Sequence, residues 1–241
     1  MNMKAELLNK EDFIDNGLFK KWGLAGGCCY NSPQEDAIKI GKACLNSGHY
    51  SGSRGIYFMF KFTNVARSCI DQAIRHDVGT FKNVQSFRYV NKSGFSYYTS
   101  DVINSIPEAK KIYDETMDIV ANNYSRLVNV LEDNGITGEV ANQSARGIIP
   151  MNTNAEFVMG FTVEALINFA NKRLCTRAEE HIRKLAKSIV KEVLDVVPEL
   201  ESKLVPQCGA LLYCPEGFIG RNCPLRTSGK VLTKKQLQDK L

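Results

Sequence analysis

The stretch from Arg75 to Tyr89, R-H-D-V-G-T-F-K-N-V-Q-S-F-R-Y, gathers the side chains best suited to chemistry. Arg75, His76 and Arg88 surround a run of hydrogen-bonding residues, Thr80, Asn83, Gln85 and Ser86. A guanidinium offers a fork of donors that matches phosphate geometry. An imidazole can donate, accept or change charge near neutral pH. Gly79 lets the backbone turn where a side chain would not fit. Such a segment suits an anionic, planar, polar ligand; the plainer reading is a solvated basic loop. Ser86 and His76 could also act as nucleophile and base, although no orienting carboxylate is evident.

Further polar residues lie outside this stretch. Gln72 stands three residues before Arg75. Arg146 sits in A-R-G-I-I-P (Ala145 to Pro150), and Asn168 and Arg173 sit in A-L-I-N-F-A-N-K-R-L (Ala165 to Leu174). Near the end, Cys208, Cys214 and Cys223 alternate with Gly209, Pro215, Gly217, Gly220 and Pro224. Thiolates at that spacing can hold zinc, with a fourth ligand such as Cys175 or His181; packed or free thiols are the other reading. Cys28 and Cys29 read as small buried residues, because adjacent cysteines rarely bridge.

The elements that must position these residues follow from pattern. Residues up to about Gly26 read as a short strand and loop. Ser32-Pro33-Gln34-Glu35 predicts a helix start and a helix to Asn46 that buries Ile38, Ile40, Ala43 and Leu45. Gly48-His49 then turns the chain, with His49 structural. Gly55 to Phe62 reads as a buried strand. Asn64 is expected to cap a helix from Val65 to His76, with Gln72 and Arg75 on one face. A long helix is expected from Ala109 to Glu132, with Ile112, Met117, Ile119, Val120, Leu127, Val128, Val130 and Leu131 as its apolar stripe. Gly135 ends it. Thr137 is placed to cap a short helix through Ala145, and Arg146 begins an extended stretch. A second strand is expected from Ala155 to Val163 and a helix from Glu164 to Arg173. Thr176 is placed to cap a last long helix, Arg177 to Val196. Residues 206–241 read as a separate cysteine-rich tail on a domain of residues 1–205.

Length and composition bound the function. The chain has 241 residues, 44% hydrophobic and 24% charged, ordinary for a soluble globular protein with a real core. A net charge of +5 suits small anions but is too mild for the stripe of a nucleic-acid binder. No apolar run approaches the ~20 residues of a membrane span, and the N-terminus lacks an apolar signal core. The cytoplasm is the expected location.

The Arg75–Tyr89 stretch resembles the R-H-R-x7-S signature of the flavin-dependent thymidylate synthases, which usually continues into R-Y. The two downstream blocks resemble that family's second nucleotide-binding stretch, in the right order. The likeness runs from roughly Gly48 to Val197. The resemblance implies an α/β fold with a central mixed sheet flanked by long helices, and a homotetramer whose sites are shared between subunits. It implies reductive methylation of dUMP to dTMP, with methylenetetrahydrofolate as one-carbon donor and FAD reduced by NADPH. The residues it assigns to dUMP are Gln72, Arg75, Gln85, Ser86, Arg88, Arg146 and Arg173, with Ser86 and Arg173 expected to carry catalysis. Those it assigns to FAD are Arg75, His76, Asp77, Asn83 and Asn168. The chain departs from the pattern in several places. Asp77 replaces the third Arg of the signature, the gap to Ser86 is one residue longer with Lys82 the extra residue, and Val84 replaces an acidic residue. Arg54, Gly55, Thr162 and Glu164 also differ from the family's usual residues. The nucleotide half of the site is thus expected to be better preserved than the flavin half. A relative with lost or altered flavin chemistry is the alternative, and a zinc-stabilised nucleic-acid-binding protein is a second.

Overall fold

A computed structural model describes residues 3–239. The first half contains β1 (Lys4–Leu7), α1 (Gly17–Gly27), α2 (Ala37–Ser47), β2 (Tyr57–Ala66), α3 (Arg67–Ala73) and β3 (Thr80–Val84). Then come α4 (Asp101–Asn104), α5 (Pro107–Asp133), α6 (Gly138–Ala145), β4 (Asn154–Thr162), α7 (Val163–Arg173) and α8 (Glu180–Leu194). The tail carries α9 (Gln207–Leu211), α10 (Pro224–Thr227) and α11 (Lys234–Gln238). The fold is α/β, as expected, but its four-stranded sheet is antiparallel where a mixed one was expected. The strands form one sheet in the order β1-β2-β4-β3. β3 and β4 run antiparallel: Gln85 N–H donates to Glu156 O and Thr162 N–H to Gly79 O, each at 2.9 Å.

The chain divides into two compact units. The first comprises Lys61–Arg75 and Lys82–Val158, with Met3 and Lys4. The second comprises Ala5–Phe60, His76–Phe81 and Met159–Leu241.

In the first unit, Tyr124, Val128 and Ala145 form a core with Leu131 and Ile149 against it. Phe62 stacks on Phe157 at 4.4 Å between centroids. The expected apolar stripe of α5 resolves into two. Met117, Tyr124 and Val128 are buried, whereas Ile112, Ile119 and Val130 are each about 60% exposed. At 100° per residue the two sets lie about 140° apart on the helix, so one packing face cannot take both. Asn64 does not cap a helix. It holds φ +56° within β2, a left-handed conformation that Asn tolerates, and the strand continues to Ala66. α3 is therefore shorter than expected, and Arg75 lies just past its end.

In the second unit, the supposed loop before Gly26 contains α1. Its glycines make it a packing helix: a Cβ on Gly23 would lie 1.6 Å from Ala37 O, and one on Gly41 of α2 would lie 2.2 Å from Phe19 O. The buried face of α2 is accordingly Ala37, Gly41 and Leu45, while Ile38 and Ala43 are exposed. His49 acts structurally, its carbonyl accepting from Trp22 Nε1 at 3.2 Å. Cys28 and Cys29 are exposed, contrary to expectation, because they follow the last turn of α1 outward. α8 begins at Glu180, since a turn closed by Ala178 N–H on Cys175 O precedes it, and no Thr176 cap forms.

Candidate functional site

The Arg75–Tyr89 stretch folds as turn, strand and turn, and the strand β3 is what the sequence reading lacked. The first turn is closed by Thr80, whose hydroxyl donates to His76 O at 2.6 Å. Gly79 sits at φ +72°, and a Cβ there would lie 2.6 Å from Thr162 Oγ1. Any other residue would meet both backbone strain and a collision.

In the second unit the structure joins two motifs distant in sequence. Arg173 Nε donates to His76 Nε2 at 2.9 Å, 97 residues away. The imidazole meets the Phe169 ring edge-on at 4.8 Å. An accepting Nε2 carries no proton, so the neutral imidazole here holds a guanidinium by its Nε. α7 supplies two partners of the His76 ring, with Phe169 facing the core and Arg173 as its last residue. The helix is started by Thr162, whose hydroxyl accepts from Ala165 N–H at 3.3 Å.

A cavity of about 530 Å³ opens beside the start of α7, lined by Arg54, Tyr57, Gly79, Thr162, Glu164 and Asn168 among others. That volume lies within the range of small-molecule and cofactor sites. Glu164 and Asn168 stand four residues apart, on one helix face. Arg54 reaches Glu164 at 3.4 Å, so two departures from the family pattern pair with each other. Asp77 is exposed on the turn and does not line this cavity.

In the first unit, Gln72 lies on α3 and donates to Ser68 O at 3.4 Å. Asn83 is exposed on β3. Ser86 Oγ accepts from Arg88 N–H at 3.2 Å, which leaves its own proton to give. The Arg88 guanidinium pairs with Glu139 in the first turn of α6. Arg146 is exposed at the opposite end of α6, two turns or roughly 10 Å along the axis. Lys92, which sequence reasoning left in a loose segment, is a further member. Its ammonium donates to Gln85 Oε1 at 3.2 Å and to Asn154 O at 2.9 Å. It lies 4.9 Å from the Phe87 ring centroid, and burial pushes its pKa down. Gln85 is thereby fixed with its carbonyl on Lys92 and its amide N–H₂ turned to other work. No local pattern distinguishes this half-buried lysine from a solvated one.

Cys208, Cys214 and Cys223 share a small cavity with Cys175; His181 does not line it. Among the described residues, no three His, Cys, Asp or Glu side chains stand at the spacing of a formed metal site.

Residues 17–199 match the family model described as thymidylate synthase complementing protein. The chain belongs to that family. Curated relatives named "Flavin-dependent thymidylate synthase" include one from Nitratidesulfovibrio vulgaris, 34% identical over 186 residues, covering 76% of each chain. One from Clostridium tetani is 29% identical over 192 residues, again 76% of each. One from Sulfurisphaera tokodaii is 30% identical over 206 residues, 85% of this chain and 74% of that one. This member of the thymidylate synthase complementing protein family is therefore an enzyme of the class its relatives are named for. The family match takes in every sequence-predicted nucleotide and flavin residue from Gln72 to Arg173, and leaves the cysteine tail outside. Among the described residues, no helix is long and apolar enough to cross a membrane.

Proposed function

We propose that this enzyme converts dUMP to dTMP by reductive methylation, with methylenetetrahydrofolate as the one-carbon donor. The observation that carries the reading is the bond from Arg173 to His76, which ties the end of the second motif block to the opening of the first. Arg173, with Nε committed to His76, presents its terminal fork to the nucleotide phosphate. Arg75 and Arg146 of the first unit are further motif cations proposed to serve dUMP. Arg88, paired with Glu139, must share or exchange that partner to reach a phosphate. Ser86, accepting from a backbone N–H, gives its proton to a base carbonyl and polarises it. Gln85, held by Lys92, and Gln72 read the base edge.

The residues also fit a flavin. The cavity beside α7 has the volume of a cofactor site, and Asn168 and Arg54 on its wall supply donors. Reduced flavin, when bound, supplies the electrons of the methylation. His76, Asp77 and Asn83 are the remaining motif positions proposed to face it. The Glu164 carboxylate would repel a diphosphate, and its pairing with Arg54 offsets that charge. The reading includes NADPH as the reductant, a cytoplasmic setting and a homotetramer. The exposed apolar stripe of α5, Ile112, Ile119 and Val130, supports self-association.

Titration calorimetry with dUMP tests the nucleotide site. Arg146→Ala and Arg173→Ala should each weaken binding by about 1.5–3 kcal/mol, the range for hydrogen bonds to charged groups. Unchanged affinity in both would return these residues to ordinary surface cations.

A further inference from the structure

Residues 206–239 form an ordered tail that lacks a core of its own. Gly220 is the one buried residue in it, while Leu212, Phe218 and Ile219 are 64–76% exposed. Its helices have four or five residues each, too short to hold themselves. Its turns are nevertheless tied together, with Cys214 N–H on Leu232 O at 2.8 Å and Val231 N–H on Leu225 O at 2.9 Å. Segments of this size with so little buried apolar surface gain from a staple such as a disulfide or a metal ion.

Four of the eight cysteines meet at one place in the second unit. Cys175, just past α7, and Cys208, Cys214 and Cys223 of the tail line a cavity of about 50 Å³. One ion fits that volume with room to spare. The other four are dispersed: Cys28 and Cys29 are exposed, Cys44 is half-buried on α2, and Cys69 is buried on α3. Cys214 and Cys223 each precede a proline, in Cys-Pro-Glu-Gly and Cys-Pro-Leu-Arg. Proline has no N–H, so the donors that face such a sulfur come from the residues after it. The Thr176 hydroxyl stands 3.1 Å from Cys223 Sγ, beside the same cavity.

We propose that Cys175, Cys208, Cys214 and Cys223 form a four-thiolate site for one zinc ion, which staples the tail to the end of α7. Cys175 is the fourth ligand because it lines the cavity; His181 is buried elsewhere on α8. The thiols must turn toward the cavity to bind, since no three of them now stand at ligand spacing. Zinc–sulfur bonds of about 2.3 Å in a tetrahedron bring the sulfurs to about 3.8 Å from one another. Each thiol gives its proton to solvent as the metal binds. Lys172, Arg177 and Arg226 line the same cavity; Arg177 pairs with Glu216, and Lys172 and Arg226 offset part of the negative charge of the complex.

The test is elemental analysis of the full chain, purified without chelator from zinc-supplemented cells. About one zinc per chain is expected. Cys175→Ser and Cys208→Ser should each lower it at least tenfold, and Cys28→Ser should leave it unchanged. Metal-free protein, iron in place of zinc, or full zinc content in Cys175→Ser would overturn the proposal. A second measurement covers the case in which the variants do not fold. Titrating the unaltered protein with a mercurial should release the zinc as the tail thiols react. Disulfides found among these four cysteines on denaturation without reductant would instead identify a covalent staple and sink the metal site.

Discussion

At the scale of single residues, the neutral imidazole of His76 decides how Arg173 is used. Holding Nε from behind fixes the guanidinium plane, so less side-chain freedom is lost when an anion docks on the fork. Asp77, the next residue, poses the sharpest question for the proposed flavin site. An ionised carboxylate cannot donate to phosphate, whereas Arg54 lies on the cavity wall and Lys82 follows closely in sequence. If these two cations take over from the missing arginine, Asp77→Arg should tighten flavin. Arg54→Gln and Lys82→Ala should each loosen it several-fold in a fluorescence titration. Flavin affinity indifferent to all three changes would remove this account of the position. The family resemblance pointed to His76, Ser86, Arg146 and Arg173, and of these the structure brings His76 and Arg173 together. Lys92 and the Arg54–Glu164 pair were not legible. Whether a cation is half-buried, and which carboxylate it meets, depends on partners 62 and 110 residues away.

At the scale of elements, α7 does the positioning. Thr162 starts it, Glu164 and Asn168 face the cavity, Phe169 packs inward and Arg173 ends it. Its bounds were close to legible, because Thr162 caps an apolar run and basic residues close it. β3 was not, since its five residues are mostly polar and half-buried and carry no alternation. α1 was missed because glycines lower helix propensity, and here they serve close packing against α2. α8 carries a pH-sensitive group. His181 is 1% exposed, and burial pushes its pKa down to about 4 from 6.5. The unfolded chain therefore binds a proton that the folded chain refuses between those pH values. The contribution to stability is intact above about pH 6.5, falls as pH drops toward 4, and levels off below. The loss amounts to about 3 kcal/mol. Denaturant unfolding of the parent and His181→Leu between pH 7 and 4.5 checks this: the parent should lose more stability than the variant. Parallel pH profiles would show that His181 does not titrate as described.

At the scale of the whole molecule, two features extend beyond the catalytic residues. The exposed stripe of α5 offers an apolar surface in the first unit, and the cysteine tail adds a segment beyond the matched family region in the second. The central claim concerns neither; it is that this chain turns dUMP into dTMP despite its altered signature. The most direct measurement is an anaerobic assay of the purified protein with dUMP, methylenetetrahydrofolate, NADPH and added FAD, with nucleotides resolved by chromatography. The account predicts dTMP that depends on every component and falls at least tenfold in Arg173→Ala. A protein that binds both dUMP and FAD yet forms no dTMP in the complete mixture would contradict it.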